Sequence, residues 1–147
     1  MSSQAENIRQ FCLAKAIAVV GVSDRDFGGI IYRELKDRGF AVYAVHPART
    51  TFADDPCYPS LVGLPEEVKA AVIAVAPHSA ELVVKDAIAA GFTHLWFQRG
   101  RDFSQAESTA RNAGIHTVSD KCILLYAGEI TGIHAFHRFL AKMFGRY

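Results

Sequence analysis

The amino-acid sequence predicts an α/β fold in which a parallel sheet of about five strands carries helices on both faces, in three layers. Two observations predict it. Short apolar runs alternate with segments of helical periodicity along the 147 residues, and the connections between them are short. Strands that alternate with helices in this way are typical of a parallel sheet whose crossover helices cover both faces.

The first half of the chain predicts two helices, two strands and a long loop. Residues 5–15 have apolar positions at helical spacing, which predicts a short helix. Residues 16–21 form a continuous apolar run, typical of a central parallel strand. Residues 28–38 are helical in spacing and are followed by a glycine, which is a helix stop signal. Residues 40–45 predict a strand, and residues 48–64, which lack periodicity, predict a loop.

The second half repeats the alternation. Residues 70–76 predict a third strand that a proline ends, and residues 79–90 predict a helix with a glycine after it. The fourth strand is expected at His94–Gln98 and the next helix at Ser104–Asn112. Residues 115–119, which follow a glycine, predict the fifth strand.

Two helix ends carry further signals. Ser104 with Glu107 three positions later forms a capping box, which predicts the start of a helix at the serine. Residues 133–144 predict a last helix, with an apolar face over residues 136–144. That face leaves two alternatives open, which are packing on the domain and formation of a homodimer or a contact with another protein partner.

Composition and charge place the chain among ordinary globular proteins. Half of the residues are apolar, 21% are charged, and the formal net charge is +1. We therefore expect one domain over residues 1–147, with no nucleic-acid partner and no membrane-spanning segment. The three cysteines form no C-x-x-C pair and the polar N-terminus lacks a signal-peptide pattern, so we expect a reduced, cytoplasmic protein.

The loop after the first predicted strand is a candidate phosphate site. It contains Gly21, Val22, Ser23, Arg25 and Gly28, and the last of these stands at the start of a predicted helix. Free N–H groups at a helix N-terminus bind phosphate, and glycines let the backbone come close. The loop is not a dinucleotide-binding G-x-G-x-x-G, because Ser23 replaces the second glycine. The alternative is that the glycines only close the turn.

The second predicted strand ends in His46, Pro47, Ala48 and Arg49. NAD-binding domains place an acidic residue there to accept hydrogen bonds from the adenosine ribose, and this strand end has none. An arginine at this place suits a phosphate on the adenosine ribose, as in NADP or coenzyme A. The alternative is that Arg49 is a solvated loop charge.

The other three strand ends contribute five candidate ligand contacts: Ala76, Pro77, Gln98, Gly100 and Cys122. The first two are small enough to flank an adenine ring, whereas the following His78 and Ser79 are better explained as a helix cap. The glycine permits close backbone approach. Cys122 has two interpretations, a contact with the reactive end of the ligand or a small buried filler.

Several segments together resemble a known family. They are AVVGVSDRDFGGIIYRELKDRGFAVYAVHP, YPSLVGLPEEVKAAVIAVAP, HLWFQRG and AGIHTVSDKCILL. They are similar to the small stand-alone CoA-binding proteins of bacteria and archaea, which resemble the CoA-binding domain of the succinyl-CoA synthetase α subunit. The match covers residues 11–125, and its segments occur in the family's order.

The resemblance implies a Rossmann-like domain that holds coenzyme A across the strand ends. Gly21, Val22 and Ser23 match a Gly-x-Ser that holds the phosphates in the family. Arg49 falls where the synthetase relatives carry a basic residue near the adenosine 3′-phosphate. The remaining matches are Pro47 after the second strand, Ala76 and Pro77 on the adenine side, Gln98 and Gly100 of a Gln-x-Gly, and Cys122 of an Asp-Arg-Cys segment.

The sequence also departs from the family's pattern. His46 replaces the asparagine usual before the proline, and Lys121 replaces the arginine before the cysteine. Arg99 stands in the Gln-x-Gly where a small residue or proline is common, and the acidic residue usual after the cysteine is missing at Leu125 and Tyr126. These changes fall mainly on the pantetheine side of the implied site.

We find no catalytic constellation and no metal site in the sequence. His134 and His137 are three positions apart with Glu129 upstream, but no third ligand has suitable spacing, so we expect a surface or packing role. The first loop lacks the G-x-S-x-G nucleophile elbow. The sequence therefore favours a non-catalytic module that binds coenzyme A or a short acyl-CoA. The alternatives are an NADP-dependent oxidoreductase and a redox module in which Cys122 forms a mixed disulfide with the CoA thiol.

Overall fold

The fold was analysed in a computed structural model that describes residues 3–127. The predicted last helix over residues 133–144, with His134 and His137, lies outside the described residues. The first half of the described chain forms α1 (Gln4–Cys12), β1 (Ala16–Val20), α2 (Phe27–Asp37), β2 (Ala41–Val45), β3 (Thr51–Phe52) and β4 (Asp55–Tyr58). The second half forms β5 (Ala70–Ile73), α3 (Pro77–Ala89), β6 (His94–Gln98), α4 (Ser104–Asn112), β7 (His116–Lys121) and a 3₁₀ turn (Ile123–Leu125).

The sheet confirms the predicted fold class. Its seven strands have the order β3-β4-β2-β1-β5-β6-β7, and all neighbouring pairs are parallel except β3 with β4. The chain winds outward from β1 to β2 and β4, and then returns to the other side of β1 as β5. This reversal opens a crevice beyond the carboxyl ends of β1 and its neighbours, where open α/β sheets bind their ligands.

The segment predicted as a loop over residues 48–64 contains two short strands, so this part of the prediction is wrong and the sheet has more than five strands. Cys57 and Tyr58 of β4 pair with the last two residues of β2. β3 and β4 form a hairpin whose two central residues, Ala53 and Asp54, both have positive φ, as a tight hairpin turn requires. The hairpin is held by Phe52, which is 2% exposed and packs in the core. The composition of the segment alone does not predict this packing.

Two hydrophobic layers cover the two faces of the sheet. On one face, Ile17 and Val19 of β1 pack with side chains of α1 and α2, including Phe11 and Ile31. On the other face, Ala18 and Val20 pack against α3 and α4. Alternate residues of one strand therefore bury themselves in opposite layers, which explains why β1 is apolar throughout.

Helix α1 covers the outer edge of β7 through polar side chains. The Asn7 side-chain amide donates to the carbonyl of Thr117 at 3.0 Å, and the Ser119 N–H donates to the side-chain oxygen of Gln4 at 3.1 Å. Both backbone groups belong to β7, which is an edge strand of the sheet that residues 3–127 form. The two side chains thus satisfy backbone groups that a neighbouring strand would otherwise bind.

The capping box predicted at Ser104 and Glu107 does not form. Phe103 is the N-cap of α4, and the Ser104 N–H donates to the carboxylate of Asp102 at 3.0 Å. The Glu107 carboxylate instead accepts from the Thr117 hydroxyl at 2.9 Å and from Arg111 at 2.8 Å. Glu107 is buried, and its contact with β7 takes the place of the local cap.

Candidate functional site

The carboxyl ends of β1, β2 and β5 lie level with one another. Val20 is in register with Val45 on one side and with Ile73 on the other. Beyond these ends, the Gly21 N–H donates to the Val45 carbonyl at 3.0 Å, and the Ala74 N–H donates to the Val20 carbonyl at 2.9 Å. These backbone hydrogen bonds keep the first residue after β1 and the first residue after β5 in a fixed position.

A cleft of about 400 Å³ opens at this edge of the sheet. Four of the residues predicted from the sequence line it: Gly21, His46, Pro47 and Ala76. Apolar side chains such as Leu61 and Val83 form part of its walls. Its charged lining residues are Arg101 and two aspartates, Asp26 and Asp86. A cleft of this size, with mostly apolar walls and a few polar groups, is typical of small-molecule sites.

The first loop is packed closely against the start of α2. A Cβ atom on Gly28 would lie 2.4 Å from the Gly21 carbonyl oxygen, and one on Gly29 would lie 2.0 Å from the Ser23 carbonyl oxygen. Gly21 itself has φ +102, which favours glycine. Glycine at these three positions therefore lets the loop backbone lie against the start of α2. This packing fits both sequence interpretations, a phosphate site and a simple turn, so the phosphate site stays a prediction.

The other predicted residues of this loop, Val22, Ser23 and Arg25, differ in which of their groups a ligand can reach. The Val22 side chain is fully buried in the core, so its backbone alone is left for a ligand. The Ser23 hydroxyl accepts a hydrogen bond from the Arg25 N–H at 3.1 Å, and the Arg25 side chain is exposed. The N-cap of α2, Asp26, makes no side-chain cap hydrogen bond.

The second strand end places one aromatic ring beside Arg49. His46 accepts the Ala48 N–H on Nδ1 at 3.0 Å, which closes a local turn and makes Nε2 the protonated nitrogen when the ring is neutral. The guanidinium carbon of Arg49 lies 5.7 Å from the centre of the Phe52 ring, a cation–π contact. Arg49 is half-buried on this ring, so it is held more firmly than a solvated loop arginine.

A second arginine, which the sequence analysis missed, lies on the same ring. The guanidinium carbon of Arg33, on α2, is 4.9 Å from the centre of the Phe52 ring. Its side chain also donates to the Asp24 carboxylate at 2.9 Å. The only sequence signal is its position four residues after Gly29, on the same face of the helix. The position of Arg33 on the helix does not by itself indicate a ligand contact. Its proximity to the candidate site is known only because β3 places the Phe52 ring beside it.

The third strand end begins a helix earlier than expected. α3 starts at Pro77 with Ala76 as its N-cap, and no side chain caps it, so the prediction that His78 and Ser79 cap the helix is wrong. Proline suits the first helical position, because the missing N–H would have no partner there. Pro77 is exposed and Ala76 is half-buried, and only Ala76 of the two lines the cleft.

The fourth and fifth strand ends carry two buried residues, Gln98 and Cys122, and one exposed glycine, Gly100. The buried Gln98 side-chain oxygen accepts from the Ile123 N–H at 3.2 Å. Cys122 is 3% exposed, which places its thiol in the core rather than on the surface. Gly100 has φ +108 and open space around it. None of these three residues lines the cleft of about 400 Å³.

Burial and neighbouring charges act in opposite directions on the thiol nearest to this site. Burial raises the pKa of Cys57, while the positive charge of Arg49 and a hydrogen bond from the His46 backbone lower it. On the same strand, hydrogen bonds from Lys36 and Tyr32 lower the pKa of Asp55. Within residues 3–127 no group of three or more His, Cys, Asp or Glu is arranged to hold a metal ion, and no helix is long and apolar enough to cross a bilayer.

The chain is similar to known proteins in both sequence and structure. Residues 15–127 match the family profile of the CoA binding domain. The chain is 27% identical over 136 residues to the ADP-forming acetate–CoA ligase I of Archaeoglobus fulgidus, a match that covers 84% of this chain and 20% of the ligase. The chain thus spans about a fifth of that curated relative.

Solved structures have the same fold. A conserved hypothetical protein of Pyrococcus furiosus superposes with a TM-score of 0.71 at 34% identity, over 76% of this chain and 97% of that protein. A hypothetical protein of Pyrococcus horikoshii gives 0.75 at 27% identity, over 83% and 87% of the two chains. A dinucleotide-forming acetyl-coenzyme A synthetase of Ca. Korarchaeum cryptofilum gives 0.64 at 27% identity, over 74% of this chain and 26% of the synthetase. The family match spans most of the chain and its strand-end cleft, and the protein belongs to the CoA-binding domain family.

Proposed function

We propose that this protein binds coenzyme A or a short acyl-CoA at the carboxyl ends of β1, β2 and β5, as a binding module without catalytic activity of its own. The observation that carries the proposal is the cleft of about 400 Å³ between Gly21, Pro47 and Ala76, in a member of the CoA-binding domain family. Its position at the reversal of the sheet order is where ligands bind in this class of fold.

The phosphate groups of the ligand would bind at the start of α2. The first turn of a helix offers N–H groups and the positive end of the helix dipole, and both favour an anion. In α2 the Gly29 N–H already donates to the Asp26 carbonyl at 3.1 Å, so the N–H groups before it would bind the phosphates. Gly28 and Gly29 allow the loop backbone to lie against this helix start. Arg49 adds a fixed positive charge on the adjoining strand end.

The adenine ring would occupy the apolar part of the cleft. Leu61 and Val83 offer apolar contact on one face of the sheet, and Ala76 leaves room at the strand end. The cleft holds only part of a molecule as long as coenzyme A, so the pantetheine arm extends beyond it.

Of the two groups that could carry chemistry, one is hydrogen-bonded within the protein and the other is buried. His46 uses Nδ1 to accept the Ala48 N–H, and the thiol of Cys122 is buried. The burial of Cys122 supports a binding role over the redox alternative, which requires an accessible thiol. The hydrogen bond at Nδ1 leaves His46 with one ring nitrogen fewer to assist an NADP-dependent hydride transfer.

Isothermal titration calorimetry with CoA, acetyl-CoA, NAD and NADP tests the proposal. We expect saturable binding of CoA and acetyl-CoA, with little heat from either dinucleotide. Stronger binding of NADP than of CoA would refute the proposal and favour the oxidoreductase. Arg49→Ala should weaken CoA binding by about 1.5–3 kcal/mol, the scale of a hydrogen bond to a charged group, and dephospho-CoA should be nearly unaffected.

A further inference from the structure

Two arginines share one aromatic ring at the start of α2. Arg33 lies 4.9 Å and Arg49 5.7 Å from the centre of the Phe52 ring, measured to the guanidinium carbon. The ring itself is fixed, because Phe52 is 2% exposed and packs edge-on against Tyr32 at 5.4 Å between ring centres. A rigid ring thus holds two positive charges from different elements in one small region.

This region adjoins the helix end that the proposed function assigns to phosphate. A Cβ on Gly29, in the first turn of α2, would lie 3.1 Å from the tip of the Phe52 ring. Long side chains on a helix lean toward its N-terminus, and Arg33 does so, since it reaches the loop residue Asp24. Both guanidinium groups therefore lie beside the first turn of α2.

The Asp24 carboxylate occupies Arg33 in the structure. The pair is 2.9 Å apart, and its side chains are 49% and 65% exposed for Arg33 and Asp24. An ion pair this exposed contributes little to stability. Asp24 stands in the first loop between the Ser23 and Arg25 positions, so its negative charge lies in the part of the loop where an incoming phosphate would bind.

We propose that Arg33 is a second phosphate-binding arginine, which acts with Arg49 on the phosphomonoester of the adenosine ribose, and that Asp24 competes with this phosphate for Arg33. The inference rests on the proposed function. A phosphomonoester carries up to two negative charges and three acceptor oxygens, so two arginines bind it better than one carboxylate binds one arginine. Ligands without this phosphate leave the ion pair between Asp24 and Arg33 intact.

The test compares CoA with dephospho-CoA, which lacks only this phosphate, by titration calorimetry on four variants. Arg33→Gln and Asp24→Asn change the proposed pair. Lys36→Gln removes an equal charge from the same helix, and Glu6→Gln removes an equal charge from an exposed Arg–Glu pair on α1. Both controls lie outside the proposed site, and thermal melts check that all four variants fold.

We expect Arg33→Gln to weaken CoA about tenfold and to leave dephospho-CoA nearly unchanged. Asp24→Asn should strengthen CoA roughly two- to fivefold, the scale of an exposed ion pair, again without effect on dephospho-CoA. The two control variants should bind both ligands as the wild type does.

The outcomes separate this inference from the proposed function. Equal losses for both ligands in Arg33→Gln, or unchanged or weaker CoA binding in Asp24→Asn, would overturn the assignment while wild-type CoA binding still supports the proposed function. A loss of CoA affinity in Lys36→Gln as large as that in Arg33→Gln would also overturn the assignment, because the overall positive charge of the helix would then explain both losses. A wild-type protein that binds neither ligand would overturn both.

Discussion

Alanine in place of Gly28 tests whether the contact between the first loop and α2 forms the ligand site. The new Cβ would lie 2.4 Å from the Gly21 carbonyl oxygen and 2.9 Å from its carbon, and both are backbone atoms. Ordinary contact begins near 3.4 Å, so the loop and the helix start must separate by about 1 Å in a close-packed region. The backbone of Gly28 itself is helical and accepts alanine without strain.

The change in the free energy of unfolding for Gly28→Ala follows from two opposing effects. Overpacking of this kind costs about 1–3 kcal/mol, whereas alanine is favoured over glycine in a helix by at most about 1 kcal/mol. We therefore expect a net loss of about 1–2 kcal/mol in the free energy of unfolding, which lowers the melting temperature by about 3–8 °C. Because the loop moves away from the helix N–H groups, CoA binding should weaken at least about tenfold, the loss of one charge-assisted hydrogen bond.

Gly39→Ala is a matched control at the other end of the same helix. Gly39 has φ +96, and a Cβ atom added there would have nothing within 4 Å, so alanine is strained by about 1–2 kcal/mol but touches nothing. Calorimetry and thermal melts should show similar destabilisation in the two variants and loss of CoA binding only in Gly28→Ala. Wild-type CoA affinity in Gly28→Ala, or equal losses of affinity in both variants, would refute the reasoning.

Three further predictions concern the rest of the described chain. Asn7→Ala should lower the free energy of unfolding by about 1–3 kcal/mol, because the buried Thr117 carbonyl loses its donor; an unchanged denaturation midpoint would contradict this. Burial, and then the charge of His116, lower the pKa of His94 from 6.5, so the unfolded chain binds the proton more readily, and stability should be full above pH 6.5 and fall as pH drops below it. In His94→Gln the free energy of unfolding, measured by denaturation at a series of pH values, should depend less on pH. The thiol of Cys122 should react slowly with CoA disulfide until the protein unfolds, and rapid labelling of the native protein, detected by mass spectrometry, would instead favour the redox module.

Much of the fold could be predicted because its signals are local. The central strands are continuous apolar runs, and glycine or proline stands at most of their ends, so β1, β5 and β6 were placed within a few residues. The strand ends in turn located the cleft, since parallel strands present their carboxyl ends at one edge. Four of the lining residues, including Gly21 and Pro47, follow from this step alone.

The parts that could not be predicted depend on contacts distant in sequence. β4 is a strand because it pairs with β2, although its own residues include an aspartate and a proline. Glu107 leaves its predicted cap because Thr117 and Arg111 bind it. In the sequence, Arg33 is indistinguishable from any exposed arginine on a helix. Its place beside the candidate site follows from its contact with Phe52, which lies in the hairpin that the sequence analysis missed. The same missed segment therefore concealed both the extra strands and the second arginine.

The missing second glycine of the first loop has a structural explanation. In a dinucleotide-binding loop the second glycine lets the pyrophosphate approach the backbone, and the third lets the helix pack closely on the strand. Here Gly28 and Gly29 provide the close packing, since a Cβ atom on either would collide with the Gly21 or Ser23 carbonyl. They come seven and eight positions after Gly21, whereas the third glycine of the dinucleotide motif comes five positions after the first. The loop between is longer, and it carries Ser23, whose hydroxyl is bound to the Arg25 N–H, and Asp24, whose carboxylate holds Arg33. The longer loop therefore lacks a glycine for close backbone approach at its centre. Under the proposed function, the positive charge for a phosphate outside the pyrophosphate comes from Arg33 and Arg49 on the Phe52 ring, once the phosphate has displaced Asp24.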